Sequence, residues 1–440
     1  MPAWMRALVR FVLSIWFRRV EVVGAASSPR QGPLIVVANH ENGLLDPMLV
    51  AAYLPLAPRF LGKSTLWKIP VLWPFLVAAR VVPVHRRQDA GEGSDMKKND
   101  EMFAVAAKVL NDRGVIALFP EGESHNQPSI LPLKTGAARI CLSGPETTRI
   151  LPVGIAFRDK HRFRGSALVL VGEIFDPGPL RAGDPKTASH AITDAMFAAL
   201  QKVTINVPTW EDRKLLERAV EISRADDESL EARVRHLRNF TGAWLDLSRS
   251  HPGEIAAIRA QVASYDRELK VLGMTDEEVR AKYRPLSVLN WSLRFVRLFL
   301  LNLPFGILGV VLHVIPWQVP RLVARLTAEP EELDQPASYK MMAGIVIFPL
   351  WWILLVTLAW WLFGGDLAWL TAFTAPASAY YALEWMESGM TLGDQARGRL
   401  LRGKRRTLVD GLRAQRESIA REIARLEAIW KTGTRQGSTA

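Results

Sequence analysis

The sequence predicts an α/β domain over residues 20–205, a sheet flanked by helices, followed by a helical region and a C-terminal α-helical membrane segment. Three observations carry that prediction. Short apolar runs alternate with helical stretches in the first half of the chain: Leu34–Ala38, Val81–Val84, Val115–Phe119, Ile150–Phe157 and Ala167–Ile174. This alternation is the pattern of one sheet covered by helices. From about Trp210 to Tyr283 the composition turns to charged, amphipathic helix, and three apolar blocks follow it.

Taken in order, residues 1–19 read as an interfacial N-terminal helix. The apolar run is broken by Arg6 and Arg10 and extends only from Phe11 to Phe17, too short to span a bilayer. Arg6, Arg10 and Ser14 share one helical stripe, with Trp4, Leu8, Phe11 and Ile15 around the rest, which suits a helix lying in the interface or packed on the domain. Residues 206–290 read as an amphipathic helical connector. In the membrane region, 291–385, residues 341–363 read as a transmembrane span and 367–383 are expected to return as its antiparallel mate through Gly364-Gly365-Asp366. Lys340 precedes the pair and Arg397–Arg406 follow it, so both outer ends are expected on the cytoplasmic side. Residues 298–320 carry Arg on both flanks, and Pro304 and Gly306 would permit a re-entrant hairpin. The tail, 386–440, has Leu408, Leu412, Ile419, Ile423, Leu426 and Trp430 at helical spacing among many Arg. It suits either an anionic lipid surface or pairing with a second copy in a homodimer.

Composition narrows the partners. A net charge of +12 points to an anionic partner, and the Trp content with the long apolar runs favours membrane lipids over nucleic acid. Cys141, the only cysteine, cannot form an internal disulfide and fits a reducing compartment, so the catalytic part is expected to face the cytosol.

The most informative stretch is Asn39-His40-Glu41-Asn42-Gly43-Leu44-Leu45-Asp46-Pro47, where an apolar strand ends in a His followed closely by an Asp. On one continuous helix the offset from His40 to Asp46 is about 600°, so the two side chains can meet only across a turn, which Gly43 supplies. Asp46 before Pro47 also reads as a plain helix cap. A second strand-like run ends in Pro120-Glu121-Gly122-Glu123-Ser124, delivering a carboxylate into a Pro/Gly turn.

Asn39–Pro47, Val82-Pro-Val-His-Arg86-Arg87, Phe119-Pro-Glu-Gly122 and Leu151-Pro152-Val153 together resemble the four ordered blocks of the glycerophospholipid acyltransferase family. The commonest family pattern has four residues between His and Asp; this chain has five, as in a subgroup with the longer loop. The resemblance covers roughly residues 30 to 180. It implies that His40 is the general base and that Asp46 orients it, with Arg86, Glu121 and Gly122 binding a glycerophosphate acceptor and Pro152 shaping the site. Lys63, Arg87, Lys134, Arg139 and Ser124 lie near the same blocks; the four cations among them suit a phosphate.

The expected reaction is transfer of a fatty acyl group from acyl-CoA or acyl-ACP, as co-substrate, to the hydroxyl of 1-acylglycerol-3-phosphate in phospholipid biosynthesis. Glycerol 3-phosphate or another lipid is the alternative acceptor, and a non-catalytic lipid-binding membrane protein the alternative of another class. An acyl carrier protein is the implied partner if it carries the thioester. No Gly-x-Ser-x-Gly accompanies the motifs, so attack by the acceptor itself is expected. Gly62-Lys63-Ser64 mimics a P-loop end, but Ala57 stands where its first Gly belongs. His85, His125 and His161 lack metal-ligand spacing, and no metal or cofactor is expected. An integral protein of a bacterial inner membrane is the expected setting.

Overall fold

The structure is a computed structural model describing residues 1–85, 96–158, 163–223, 230–280, 292–293, 295–327, 336–404 and 406–437. The chain forms two compact units. The first comprises Met1–Trp210, Ser229–Arg238 and Ala324–Met342; the second comprises Glu211–Glu228, Asn239–Val323 and Ala343–Ala440.

In the first unit α1 (Ala3–Trp16) leads into β1 (Phe17–Val23), followed by β2 (Leu34–Ala38), α2 (Leu45–Tyr53), β3 (Arg59–Lys63), α3 (Trp73–Ala78) and β4 (Val82–Val84). Next come α4 (Met96–Asn111), β5 (Val115–Leu118), α5 (Gly136–Ser143), β6 (Arg149–Arg158), β7 (Gly165–Val171) and α6 (Pro185–Gln201). The seven strands form one sheet in the order β1-β7-β6-β2-β5-β3-β4. Every neighbouring pair is parallel except β6 and β7. All five residues of β2 are buried, as a strand in a sheet covered on both faces must be. Ile35, Val37 and Ile116 pack with Ala106 and Leu110 of α4, Ile140 of α5 and Ile192 and Met196 of α6 in one hydrophobic core. Helix α1 packs on α2, burying Met5 and Leu13.

Orientation of α1 sorts its two stripes. Arg10 Nε donates to Ala52 O at 2.8 Å, complementing a C-terminal carbonyl of α2, and the Arg6 guanidinium donates to Leu56 O just past that helix. Trp4, Leu8 and Phe11 are left exposed.

The second unit is helical. It contains α7 (Trp210–Ser223), α8 (Leu230–Ser250), α9 (Pro252–Leu272), α10 (Asp276–Arg280), a π-helical turn at Arg297–Leu301, α11 (Leu303–Thr327), α12 (Pro336–Phe363), α13 (Gly365–Lys404) and α14 (Arg406–Gly437), with the ends of α8, α11 and α12 noted above belonging to the first unit.

Two regions differ from the sequence expectation. Most of the apolar stripe of the tail helix α14 is turned inward: Leu412, Ile419, Ile423 and Leu426 are buried while Leu408 is exposed, and α14 packs on α9. Arg416 Nε donates to Asp276 Oδ1 at 3.2 Å, and the Tyr265 hydroxyl donates to the same oxygen at 2.8 Å. Four of the six stripe residues are thus used inside the unit, together with the connector helices. The chain also does not fold back at Pro304 and Gly306, because α11 runs as one helix through both. Pro304 stands at its second position, where the missing N–H costs no helical bond. Gly306 has another use, since an added Cβ there would fall inside the indole of Trp385 on α13.

Among the described residues, α11 and α12 are the helices long and apolar enough to cross a membrane. The block Leu367–Leu383, expected as a span, lies within the 40-residue α13. Trp351 Nε1 donates to Leu312 O at 2.8 Å and Trp352 Nε1 to His313 Nε2 at 3.2 Å, tying α12 to α11. Outward, α12 exposes Leu350, Ile353, Leu354 and Leu358, a surface suited to lipid.

Candidate active site

β2 and β5 are adjacent and parallel, with Val37 opposite Leu118, so the residues just past their C-terminal ends meet. In open α/β sheets this edge is where ligands bind. It brings together Asn39 and His40 from one strand and Phe119 and Glu121 from the other.

His40 Nδ1 lies 2.9 Å from Asp46 Oδ2, and the imidazole stacks on Phe119 with centroids 4.0 Å apart. The same Asp46 oxygen accepts the Asn42 N–H at 2.7 Å. Asp46 is the second residue of α2, whose N-cap is Leu44, so it is not the plain helix cap that Asp before Pro suggested; it is fully buried and turned back to the His40 loop. Burial pushes its carboxyl up to about 6, with the hydrogen bond and charge of His40 pulling the other way. Because Asp46 can only accept when ionised, it fixes the imidazole proton on Nδ1 and leaves Nε2 with a lone pair.

The main chain of His40 is held by the second turn. Its N–H donates to Glu121 Oε1 at 2.7 Å, and its carbonyl accepts the His125 N–H at 3.0 Å. Glu121 Oε2 accepts the Leu131 N–H at 2.7 Å and pairs with His125 Nε2. His125 Nδ1 accepts the Gln127 N–H at 3.0 Å, which places that ring's proton on Nε2, facing Glu121. On the other side, Asn39 copies a strand: its Oδ1 accepts the Ile155 N–H at 2.7 Å and its Nδ2 donates to Ile155 O at 3.0 Å.

The remaining predicted residues separate. Gly122 adopts φ +83°, the left-handed region, and the Lys134 side chain lies across it where a Cβ would stand. Ser124 adjoins Gly43 of the His40–Asp46 loop. Pro152 is buried within β6 opposite Val37. Lys63 is exposed at the end of β3, and Arg139 lies over the Phe103 ring, 4.4 Å from its centroid. Arg86, Arg87 and His161 lie outside the described residues. Sequence reasoning gave no role to Asn39, Phe119, His125 or Ser338. For His125 the available signal was its place four residues after Glu121; for Asn39, a polar residue directly ending a buried strand.

The class that this arrangement defines is an α/β acyltransferase domain. The Acyltransferase family model matches residues 19–156, and the model of the glycerol-3-phosphate acyltransferase 2 C-terminal domain matches residues 228–431. An uncharacterized acyltransferase of Schizosaccharomyces pombe is 23% identical, over 78% of this chain and 66% of that protein. Glycerol-3-phosphate O-acyltransferases 2 and 1 of Saccharomyces cerevisiae are 23% and 24% identical over 59% and 56% of this chain, which spans 39% and 36% of their lengths. Among solved structures, the 1-acyl-sn-glycerophosphate (LPA) acyltransferase PlsC of Thermotoga maritima is similar with a TM-score of 0.33 and 19% identity, covering 45% of this chain and 80% of that one. The chain belongs to the glycerophospholipid acyltransferase family.

Proposed function

We propose that this protein transfers a fatty acyl group from a thioester, acyl-CoA or acyl-ACP, to a hydroxyl of glycerol 3-phosphate. The observation that carries the reading is the His40–Asp46 pair at 2.9 Å, set where two parallel strands end. The acceptor hydroxyl gives its proton to His40 Nε2 as its oxygen bonds to the thioester carbonyl carbon. The C–S bond then breaks, and the imidazolium returns the proton to the departing thiolate. Asp46 holds the ring in one tautomer and stabilises its charged form. The matched C-terminal domain and the names of the two yeast relatives support glycerol 3-phosphate over 1-acylglycerol-3-phosphate, the acceptor expected from the motifs.

For the setting, we infer that the first unit faces the cytosol. Lys340, before the apolar part of α12, and the basic run Arg397–Arg406, which follows the apolar part of α13, support a pair whose outer ends are cytoplasmic. Ala324–Met342, which includes the C-terminal end of α11, belongs to the same compact unit as His40 and supports placing that end on the catalytic side.

The test is thiol release by the purified full chain in detergent, with glycerol 3-phosphate and 1-acylglycerol-3-phosphate offered separately beside His40→Ala. Release with glycerol 3-phosphate, abolished in the variant, is the expected result. Preference for the lysophospholipid would move the acceptor. Silence with both acceptors, from both thioester carriers, would overturn the reading.

A further inference from the structure

The loop between His40 and Asp46 is held by a residue from far along the chain. Ser338 lies in the first turn of α12, 294 positions after Leu44, and is 7% exposed beside the fully buried Ala337. Its hydroxyl accepts the Leu44 N–H at 3.0 Å and faces Asn42 Oδ1 at 3.2 Å, donating to it. A hydroxyl carries one donor and two acceptor sites, so it makes both bonds at once. Gly43, between those two residues, stands between Ser338 and Ser124, its Cβ position 3.6 Å from one hydroxyl and 3.7 Å from the other.

These contacts fall on the middle of the five-residue loop. Asp46 Oδ2 ties down its two ends, accepting from His40 and from the Asn42 N–H. Asn42 is fully buried, its Nδ2 has no hydrogen-bond partner among the described residues, and the same holds for Asp46 Oδ1. The Asn42 side chain is therefore oriented through its Oδ1, and the donor there is Ser338. Leu44 immediately precedes α2 and has no side-chain cap of its own kind to offer. A shift of Asn42 or Leu44 moves the start of α2 and with it Asp46.

We propose that Ser338 is a positioning residue: from the first turn of α12 its hydroxyl fixes Asn42 and Leu44, and through them the geometry of Asp46 against His40. This rests on the reading that His40 and Asp46 carry the acyl transfer. It makes residues 336–342 part of the catalytic unit, although they open an otherwise apolar helix.

The test uses the full-length chain, as Ser338→Ala and Ser338→Thr beside the parent. Turnover is read as kcat and KM for each substrate, and His40 accessibility as its rate of modification by diethyl pyrocarbonate, followed by peptide mass spectrometry. A misplaced catalytic group costs rate rather than substrate binding. Ser338→Ala should therefore lose kcat by roughly tenfold with both KM values within about twofold, and should modify His40 several-fold faster. Ser338→Thr, which keeps the hydroxyl, should retain most of the parent's kcat and its slow modification. Parent-like kcat and modification in Ser338→Ala would overturn the proposal, as would equal losses in the Ala and Thr variants. If the parent itself turns over neither acceptor, the acyl-transfer reading falls, and the modification rates alone decide whether Ser338 holds the loop.

Discussion

Glu121 Oε1 accepts the backbone N–H of His40 at 2.7 Å, so a carboxylate buried to 1% exposure fixes His40 through its main chain. Three donors converge on that carboxylate: His40 N–H, Leu131 N–H and His125 Nε2. In Glu121→Gln one oxygen becomes an NH2 group aimed at donors. A buried group left in that state costs about 2–3 kcal/mol. The denaturation midpoint of the variant should fall accordingly, and kcat should fall with it even at temperatures where the fold is intact. An unchanged midpoint would mean that Glu121 does not hold the His40 main chain.

In the proposed reaction Asp46 sets an acid limit. Burial raises its carboxyl from 3.8 to about 6, so activity should decline as pH falls through about 6 and the carboxylate takes up a proton. A kcat that stays flat from pH 8 to pH 5 would rule this out.

The sign for stability is opposite. Below about pH 4 the carboxyl is protonated in both folded and unfolded chains, and burying it carries no ionic cost. Above about pH 6 the full cost applies, on the order of 3 kcal/mol. Asp46→Asn should therefore lose kcat by roughly a thousandfold and yet melt no lower than the parent at pH 8, with any advantage shrinking between pH 6 and pH 4. Thermal melts at the three pH values check this, and a large loss of stability at pH 8 would contradict it.

Trp4, Leu8 and Phe11 are exposed on α1 while Arg6 and Arg10 are turned to the carbonyls of Leu56 and Ala52, at and just past the end of α2. An apolar face of this kind is expected to dip into the headgroup region. A fluorophore on Phe11→Cys, in a Cys141→Ala chain reconstituted into vesicles, should be quenched by spin-labelled lipid. The same label on Asp112→Cys, in the turn between α4 and β5, should not be. Equal quenching at both sites, or none at Phe11→Cys, would count against the docking.

Asp276 joins α10 to α14 by accepting from Tyr265 and Arg416. Its removal leaves Arg416, which is 12% exposed, without this partner. Asp276→Ala should destabilise the helical unit by about 3 kcal/mol. Truncation after Arg406 should expose its core and promote aggregation, with no defined smaller oligomer. A soluble truncated chain with a halved mass would restore the pairing role of the tail.

The strands carrying the site were legible because burial on both faces leaves continuous apolar runs, as in Leu34–Ala38 and Val115–Leu118. Strand β3 was not, since Arg59, Gly62 and Lys63 interrupt its apolar character. The His40–Asp46 contact followed from the turn at Gly43 and from the family resemblance. Ser338 could not have been found, because no local pattern records a hydrogen bond across 294 positions. The fate of Gly306 was equally hidden, for a glycine in an apolar run serves a bend or a close helix approach alike, and only Trp385 decides between them. The tail's apolar stripe showed that a partner was needed, not that the partner was α9.

Asn39 closes both backbone groups of Ile155 after β2 has delivered its last paired residue, Ala38. The amide thus lengthens the sheet by one rung at the point where the chain must turn toward His40. Local fraying is usually cheapest just past a strand end, where loops open on their own. Here that exit is stitched to β6, so the main chain leading into His40 is displaced only when both Asn39–Ile155 hydrogen bonds break. Displacement of the His40 main chain should therefore go with loss of the Asn39–Ile155 pairing rather than with the motions of the surrounding loops.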